Sequence, residues 1–177
     1  MPERQFTLIT GGSRSGKSSH ALELAARARQ AGQSAFFIAT AQPSDDEMRR
    51  RIEHHRRERA PLFQTVEEPL ELRHALLRLE GQAGVVVIDC LTLWISNLMA
   101  AGRDDQEIMA HTCDLAAVLA AAPYSVFVVS GEVGSGLVPM DPVGRRFRDL
   151  LGWTNQTMGR AADTILMMVA GYPLRVK

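Results

Sequence analysis

Short apolar runs alternate with longer amphipathic segments along the chain. A short run that is apolar at successive positions is typical of a strand buried in a parallel sheet, and the segments between the runs are long enough for helices. Strands are predicted at residues 6–10, 35–40, 63–66, 85–88, 125–129 and 164–169, and helices at residues 18–30, 44–59, 69–81, 91–101, 106–121 and 144–160. This alternation predicts an α/β fold with a mostly parallel sheet flanked by helices.

Residues that start and stop helices support these boundaries. Gly32 follows the first helical segment, as a glycine often does after a helix ends. Ser44 with Glu47 forms a capping box before the charged segment, and Pro69 stands at the start of the next one.

Length and composition indicate one globular domain over residues 1–177. The chain has 177 residues, of which 46% are hydrophobic and 23% charged. That length suits one domain with a full core, and the proportions are those of ordinary globular proteins.

Charge and cysteine content limit the partners and the compartment. Lys plus Arg and Asp plus Glu number 20 each, so no overall field attracts nucleic acid or an anionic membrane. Two cysteines, Cys90 and Cys113, predict a reducing, cytoplasmic setting. The polar residues 1–5 do not resemble a signal peptide, and Asp89 and Asn97 interrupt the apolar run at 85–99, so we expect no membrane insertion.

A phosphate-binding motif follows the first predicted strand. Residues 11–18 match G-x-x-x-x-G-K-[ST] at every fixed position, and a helix is predicted directly after them. A glycine-rich turn with a surface lysine is the plain structural alternative, but it leaves the complete match unexplained. We therefore predict a P-loop nucleotide site, formed by Gly11, Gly12, Ser13, Arg14, Ser15, Gly16, Lys17 and Ser18.

Each fixed residue of the motif has a physical role. The glycines let backbone N–H groups turn inward toward phosphate oxygens, and the helix that follows directs its positive dipole end at them. Lys17 is expected to reach the terminal phosphates and the Ser18 hydroxyl to ligate Mg²⁺. Arg14 can add a bidentate phosphate contact.

A second Mg²⁺ ligand is predicted at Asp89. This residue ends the apolar strand at 85–88, where P-loop proteins carry an acidic group for the metal. The alternative is an acidic residue that caps the helix after it.

The charged helix at 44–59 contains two adjacent histidines. His55 lies three residues after Ile52 and seven after Met48, on the apolar stripe of the helix. His54 lies on another face. From spacing alone, a half-buried histidine paired with a carboxylate is the simpler interpretation of His55. Nucleic-acid binding is disfavoured because acidic residues are interleaved with the arginines.

The motifs together resemble a known family. After the P-loop come Ala39-Thr40, an R-I-x-x-H-R-x-x-R pattern at 51–59, and further segments at 65–70, 89–94, 132–139, 146–149 and 155–156. In this order they are similar to the bifunctional adenosylcobinamide kinase / adenosylcobinamide-phosphate guanylyltransferases of cobalamin (vitamin B12) biosynthesis. The family usually has asparagine before Glu132, where this chain has Gly131.

The resemblance implies two reactions on a P-loop NTPase-like fold. Adenosylcobinamide is phosphorylated with ATP or GTP, and GMP is then moved from GTP to adenosylcobinamide phosphate through a GMP–histidine intermediate, which releases pyrophosphate. By the same resemblance the nucleophile matches His55. Lys17, which the P-loop motif places at the terminal phosphates, is the other predicted catalytic residue. Family members assemble as trimers, so a homotrimer is expected. The nucleotide contacts that the resemblance adds to the P-loop are Ala39, Thr40, Ala41, Arg56, Arg57, Glu58, Arg59, Glu67 and Asp89.

Two other functions use the same loop. A simple small-molecule kinase would have no covalent step, and a nucleotide-dependent switch would have no corrinoid acceptor. Neither explains the motifs that follow the P-loop.

Overall fold

The computed structural model describes residues 4–42 and 62–177, and the predicted helix at 44–59 lies outside them. The described residues form one seven-stranded sheet in the order β3-β2-β4-β5-β1-β6-β7. The strands are β1 (Phe6–Gly11), β2 (Ser34–Ala39), β3 (Gln64–Glu67), β4 (Ala83–Asp89), β5 (Ser125–Val129), β6 (Thr164–Val169) and β7 (Tyr172–Arg175).

Five helices are found in the same described part of the chain. They are α1 (Lys17–Ala28), α2 (Leu72–Arg78), α3 (Leu91–Ala100), α4 (Asp105–Ala121) and α5 (Pro142–Ala161). None of them is both long enough and apolar enough to cross a membrane.

Strands β1 to β6 pair in parallel, and β7 pairs antiparallel with β6. The predicted α/β class with a mostly parallel sheet is therefore confirmed. Because parallel strands end at the same edge, residues at the ends of β1, β2, β4 and β5 share what we call the carboxyl edge of the sheet. Open α/β sheets bind ligands at this edge.

Both faces of the sheet are buried, which explains why its central strands are apolar at successive positions. Phe6 and Leu8 point into a core formed with α2, α3, α4 and α5. Ile9 points to the opposite face, where Ala21 and Ala25 of α1 pack against it. The small side chains of α1 let this helix lie close to the sheet.

Two elements differ from the sequence-based expectation. The helix predicted from Pro69 begins at Leu72, because the Glu68 carboxylate first accepts hydrogen bonds from the amides of Leu70 and Glu71. Strand β7 was not predicted at all. It follows a tight turn in which Ala170 and Gly171 have φ of 51° and 87°, and it forms the edge of the sheet.

Candidate functional site: a phosphate-binding loop at the carboxyl edge

The predicted P-loop connects β1 to α1. Three residues of the loop have a positive backbone φ: Gly11 at 144°, Arg14 at 56° and Gly16 at 94°. A Cβ atom on Gly11 would lie 2.6 Å from the carbonyl oxygen of Met168, so the loop needs glycine here for space as well as for conformation. Gly16 is the N-cap residue of α1, so the helix begins where the loop ends.

Lys17 bends back over this loop. Its Nζ donates hydrogen bonds to the carbonyl of Gly12 and, at 3.4 Å, to Oγ of Ser15. Burial lowers the pKa of Lys17, while the nearby Cys90 and Asp89 act in the opposite direction. The ammonium group therefore lies between the loop and the end of β4, where terminal phosphates of a nucleotide would need a positive charge.

Asp89 ends β4 and is half-buried at the carboxyl edge. It does not cap α3, because the N-cap residue of that helix is Cys90, where no side-chain cap bond is made. Asp89 pairs with Val129 of β5, which pairs with Ile9 of β1. Two strand spacings therefore separate Asp89 from Ile9, roughly 10 Å.

Ser18 and Asp89 are the residues at this edge that could hold Mg²⁺. Ser18 lies in the first turn of α1, beside Lys17, and Lys17 interacts electrostatically with Asp89. One hydroxyl and one carboxylate suit this ion, which prefers oxygen ligands and usually keeps several waters. No cluster of three or more acidic, histidine or cysteine ligands occurs among residues 4–42 and 62–177.

Thr40 holds the end of β4 in place. This buried residue bonds through its hydroxyl to both the amide and the carbonyl of Cys90, at 2.7 Å and 2.8 Å. Its own amide donates to the carbonyl of Asp89, and its carbonyl accepts from Asn97. Thr40, one of the predicted nucleotide contacts at 39–41, is thus hydrogen-bonded to both Asp89 and Cys90.

Ala39, Ala41 and Glu67 lie farther along the same edge. Ala39 pairs with Asp89 on one side and with Glu67 on the other. Glu67 is therefore four strand spacings from Ile9, roughly 19 Å. Ala41 is half-buried just beyond β2. These residues lie at the opposite end of the edge from the P-loop, on a line that an extended nucleotide could follow.

Two neighbours of the P-loop were not predicted as site residues. The amide of Glu132, in the loop after β5, donates to the carbonyl of Gly11 at 3.0 Å. The turn after β6 contributes the amide of Gly171, which donates to the carbonyl of Ser15 at 3.2 Å. The glycine-rich run at 131–136 was visible in the sequence, but its contact with Gly11 depends on β5 lying beside β1.

Gly131 lies directly against α3. Its amide donates to Oγ1 of Thr92 at 2.7 Å, and a Cβ atom at this position would lie 2.8 Å from the same oxygen. Asn155 of α5 donates to the carbonyl of Gly131. A side chain at position 131 would therefore require Thr92 to move.

The remaining predicted site residues lie outside the described part of the chain. They are His55, Arg56, Arg57, Glu58 and Arg59. The P-loop, Ala39–Ala41, Glu67 and Asp89 are all at the carboxyl edge.

Comparison with known proteins adds independent information. Residues 7–176 match the family model described as cobinamide kinase / cobinamide phosphate guanyltransferase. The chain is similar to the bifunctional adenosylcobalamin biosynthesis protein CobP of Pseudomonas aeruginosa, with 42% identity over 171 residues, 96% of each chain. It is also similar to the bifunctional adenosylcobalamin biosynthesis proteins CobU of Escherichia coli and of Salmonella typhimurium. Their identities are 36% and 35%, and both alignments cover 96% of this chain and 98% of the relative. The chain therefore belongs to the cobinamide kinase / cobinamide phosphate guanyltransferase family.

Proposed function

We propose that this chain phosphorylates adenosylcobinamide and then transfers GMP from GTP to adenosylcobinamide phosphate, with both reactions served by one nucleotide site in a single domain. The observation that carries the proposal is the loop at Gly11–Ser18, which has its backbone curled between β1 and α1 and lies within a family match over residues 7–176. ATP or GTP would donate the phosphoryl group in the first reaction.

The kinase step asks mainly for positioning and for neutralisation of charge. Backbone amides of the loop and the first turn of α1 would bind the phosphate oxygens. Lys17 is close enough to the loop to exchange its bonds with Gly12 and Ser15 for bonds to the terminal phosphates. Its half-buried position strengthens that interaction, because water screens it less.

Mg²⁺ would be held by Ser18 and Asp89. When bound, the ion would neutralise the charge that develops on the phosphate oxygens. The contact between Thr40 and Cys90 fixes the backbone that follows Asp89, and Ser18 is held in the first turn of α1, so both side chains start from a fixed backbone.

The guanylyl transfer would pass through His55. A ring nitrogen of His55 attacks the α-phosphorus of GTP, the bond from that phosphorus to the bridging oxygen breaks, and pyrophosphate leaves with the electron pair. The phosphate of adenosylcobinamide phosphate then attacks the same phosphorus, and the nitrogen–phosphorus bond breaks to give adenosylcobinamide-GDP. Arg51, Arg56 and Arg59 supply positive charge for the leaving pyrophosphate and favour the neutral, nucleophilic imidazole.

The remaining nucleotide contacts are proposed at Ala39, Thr40, Ala41, Arg57, Glu58, Glu67 and Asp89. The alignment of Ala39, Glu67 and Asp89 along the carboxyl edge supports a nucleotide that extends from the P-loop toward β3. We further propose a homotrimer in the cytoplasm, a reducing compartment that suits the free thiols of Cys90 and Cys113.

A labelling experiment tests the covalent step. The protein is incubated with GTP labelled at the α-phosphate, and the denatured protein is analysed for an acid-labile adduct. We expect label on the wild type and on His54→Ala, the matched control, and none on His55→Ala. Labelling of His55→Ala at the wild-type level would refute the nucleophile. If the wild type phosphorylates cobinamide but never acquires label, the protein would be a simple small-molecule kinase without a covalent step.

Lys17→Ala tests whether one loop serves both reactions. We expect this variant to lose the kinase activity and the guanylyl transfer together, whereas His55→Ala keeps the kinase activity. Guanylyl transfer by Lys17→Ala at the wild-type rate would show that the loop does not serve the second reaction.

A further inference from the structure

An exposed apolar segment follows the glycine-rich run and extends into the first turn of α5. We call residues 137–143 the apolar loop. Leu137 and Met140 are 96% and 95% exposed, and Val138 and Val143 are 64% and 66% exposed. Single exposed apolar side chains are ordinary, but four of them within seven consecutive residues are typical of a binding surface.

Hydrogen bonds fix the backbone of the apolar loop. Arg145 donates to the carbonyls of Pro139 and Met140, at 3.0 Å and 2.6 Å. Asp141 is the N-cap residue of α5 and accepts from the amide of Gly144 at 2.6 Å. The apolar side chains are therefore held in solvent by an anchored backbone.

The segment before the apolar loop is attached to the P-loop. The backbone amide of Glu132 donates a hydrogen bond to the carbonyl of Gly11. The Glu132 carboxylate accepts hydrogen bonds from the amides of Gly134 and Ser135, at 2.7 Å and 3.2 Å. Arg148 of α5 donates to the carbonyl of Gly134 at 2.6 Å. A continuous set of contacts thus connects the phosphate site to the apolar loop.

We infer that the apolar loop binds the corrin ring of the acceptor through Leu137, Val138 and Met140. This inference rests on the proposed function. The group of the acceptor that receives phosphate has to reach the terminal phosphate of a nucleotide in the P-loop, so the ring has to lie beside the carboxyl edge. A corrin ring is a large macrocycle with methyl groups and methylene carbons on its rim, and contact with it removes apolar surface of both partners from water.

The side chains of the apolar loop, rather than its position, favour the acceptor over the nucleotide. The loop leaves β5, and the strands that carry Asp89, Ala39 and Glu67 lie on the other side of β5 from the P-loop strand β1. A nucleotide extending toward β3 contacts polar and charged side chains there. Leu137 and Met140 offer it no hydrogen-bonding group, which suits the methyl and methylene carbons of the corrin rim instead.

Serine substitutions test the assignment. Leu137→Ser, Met140→Ser and the double variant remove apolar surface without touching the core, and Val176→Ser is the matched control because Val176 is 62% exposed on the C-terminal segment. The measurements are the KM for adenosylcobinamide at saturating nucleotide, the KM for the nucleotide, equilibrium binding of adenosylcobinamide to the protein alone, and sedimentation equilibrium.

We expect each single variant to raise the KM and the dissociation constant for adenosylcobinamide by roughly tenfold, the double variant by more, with the nucleotide KM unchanged. Val176→Ser should match the wild type. Acceptor binding unchanged in the double variant would overturn the assignment, and so would a change in subunit association, which would make the loop a contact between copies. A wild type that neither binds nor phosphorylates the acceptor would refute the proposed function itself.

Discussion

The hydroxyl of Thr40 bonds to both backbone groups of Cys90, accepting from its amide at 2.7 Å and donating to its carbonyl at 2.8 Å. Cys90 follows Asp89, so a single side chain directly after β2 fixes the chain where β4 ends. The contact therefore fixes the backbone next to Asp89, the last residue of the strand, and we expect it to help orient the Asp89 carboxylate.

Thr40→Val should lower stability and weaken the use of Mg²⁺. Valine has the shape of threonine but leaves the Cys90 amide without its partner, at a cost of about 1–3 kcal/mol, while the Cys90 carbonyl keeps only its bond from the Trp94 amide. We expect a lower midpoint in urea unfolding and a kinase activity that needs several-fold more Mg²⁺. Thr40→Ser, which keeps the hydroxyl, is the control. Equal Mg²⁺ dependence of the valine and serine variants would show that Thr40 does not position Asp89.

Gly11→Ala and Gly12→Ala should differ strongly even without nucleotide. Position 11 has φ of 144° and a Cβ there would lie 2.6 Å from the Met168 carbonyl, whereas a Cβ at position 12 would meet nothing within 4 Å. We expect Gly11→Ala to lose about 3 kcal/mol of unfolding free energy and Gly12→Ala to stay within about 0.5 kcal/mol of wild type. Denaturant unfolding of the protein alone is the measurement. Equal stabilities would mean that the loop relaxes without cost.

Cys90 should react with iodoacetamide far more slowly than Cys113. Burial is the main cause that raises the pKa of Cys90 to about 12, and Asp89 adds to it, whereas Cys113 is exposed. The thiolate is the reactive form, so at pH 8 only about one Cys90 in ten thousand is ready to react. We expect labelling of Cys90 at least about a hundredfold slower, with a rate that still rises about tenfold per pH unit between pH 8 and 10.

Peptide mass spectrometry of timed samples measures both cysteines in one reaction, so Cys113 serves as the internal control. Comparable rates at pH 8, or a Cys90 rate that levels off before pH 10, would contradict the raised pKa.

The core strands and the P-loop were predictable because their signals are local. Successive apolar residues at 85–88 and 125–129 predict buried strands wherever they occur, and the loop motif occupies eight consecutive residues. Strand β7 carries no such signal. All four of its residues are exposed and one is Pro173, which a strand tolerates only at an edge.

Contacts between residues far apart in the chain could not be predicted from the sequence. Thr40 and Cys90 are 50 residues apart, and neither residue lies in a sequence pattern that predicts contact with the other. The bond from Glu132 to Gly11 likewise depends on the strand order, because it forms only when β5 is placed beside β1. Local patterns therefore identified the phosphate-binding loop, but not Glu132 and Gly171, whose amides bond to it from other parts of the chain.

The turn between β6 and β7 bears on how nucleotide affinity can evolve. Its Gly171 amide is bonded to the carbonyl of Ser15, more than a hundred and fifty positions away along the sequence. A random mutagenesis screen for altered GTP affinity should therefore recover changes near the C-terminal end as well as inside the glycine-rich motif.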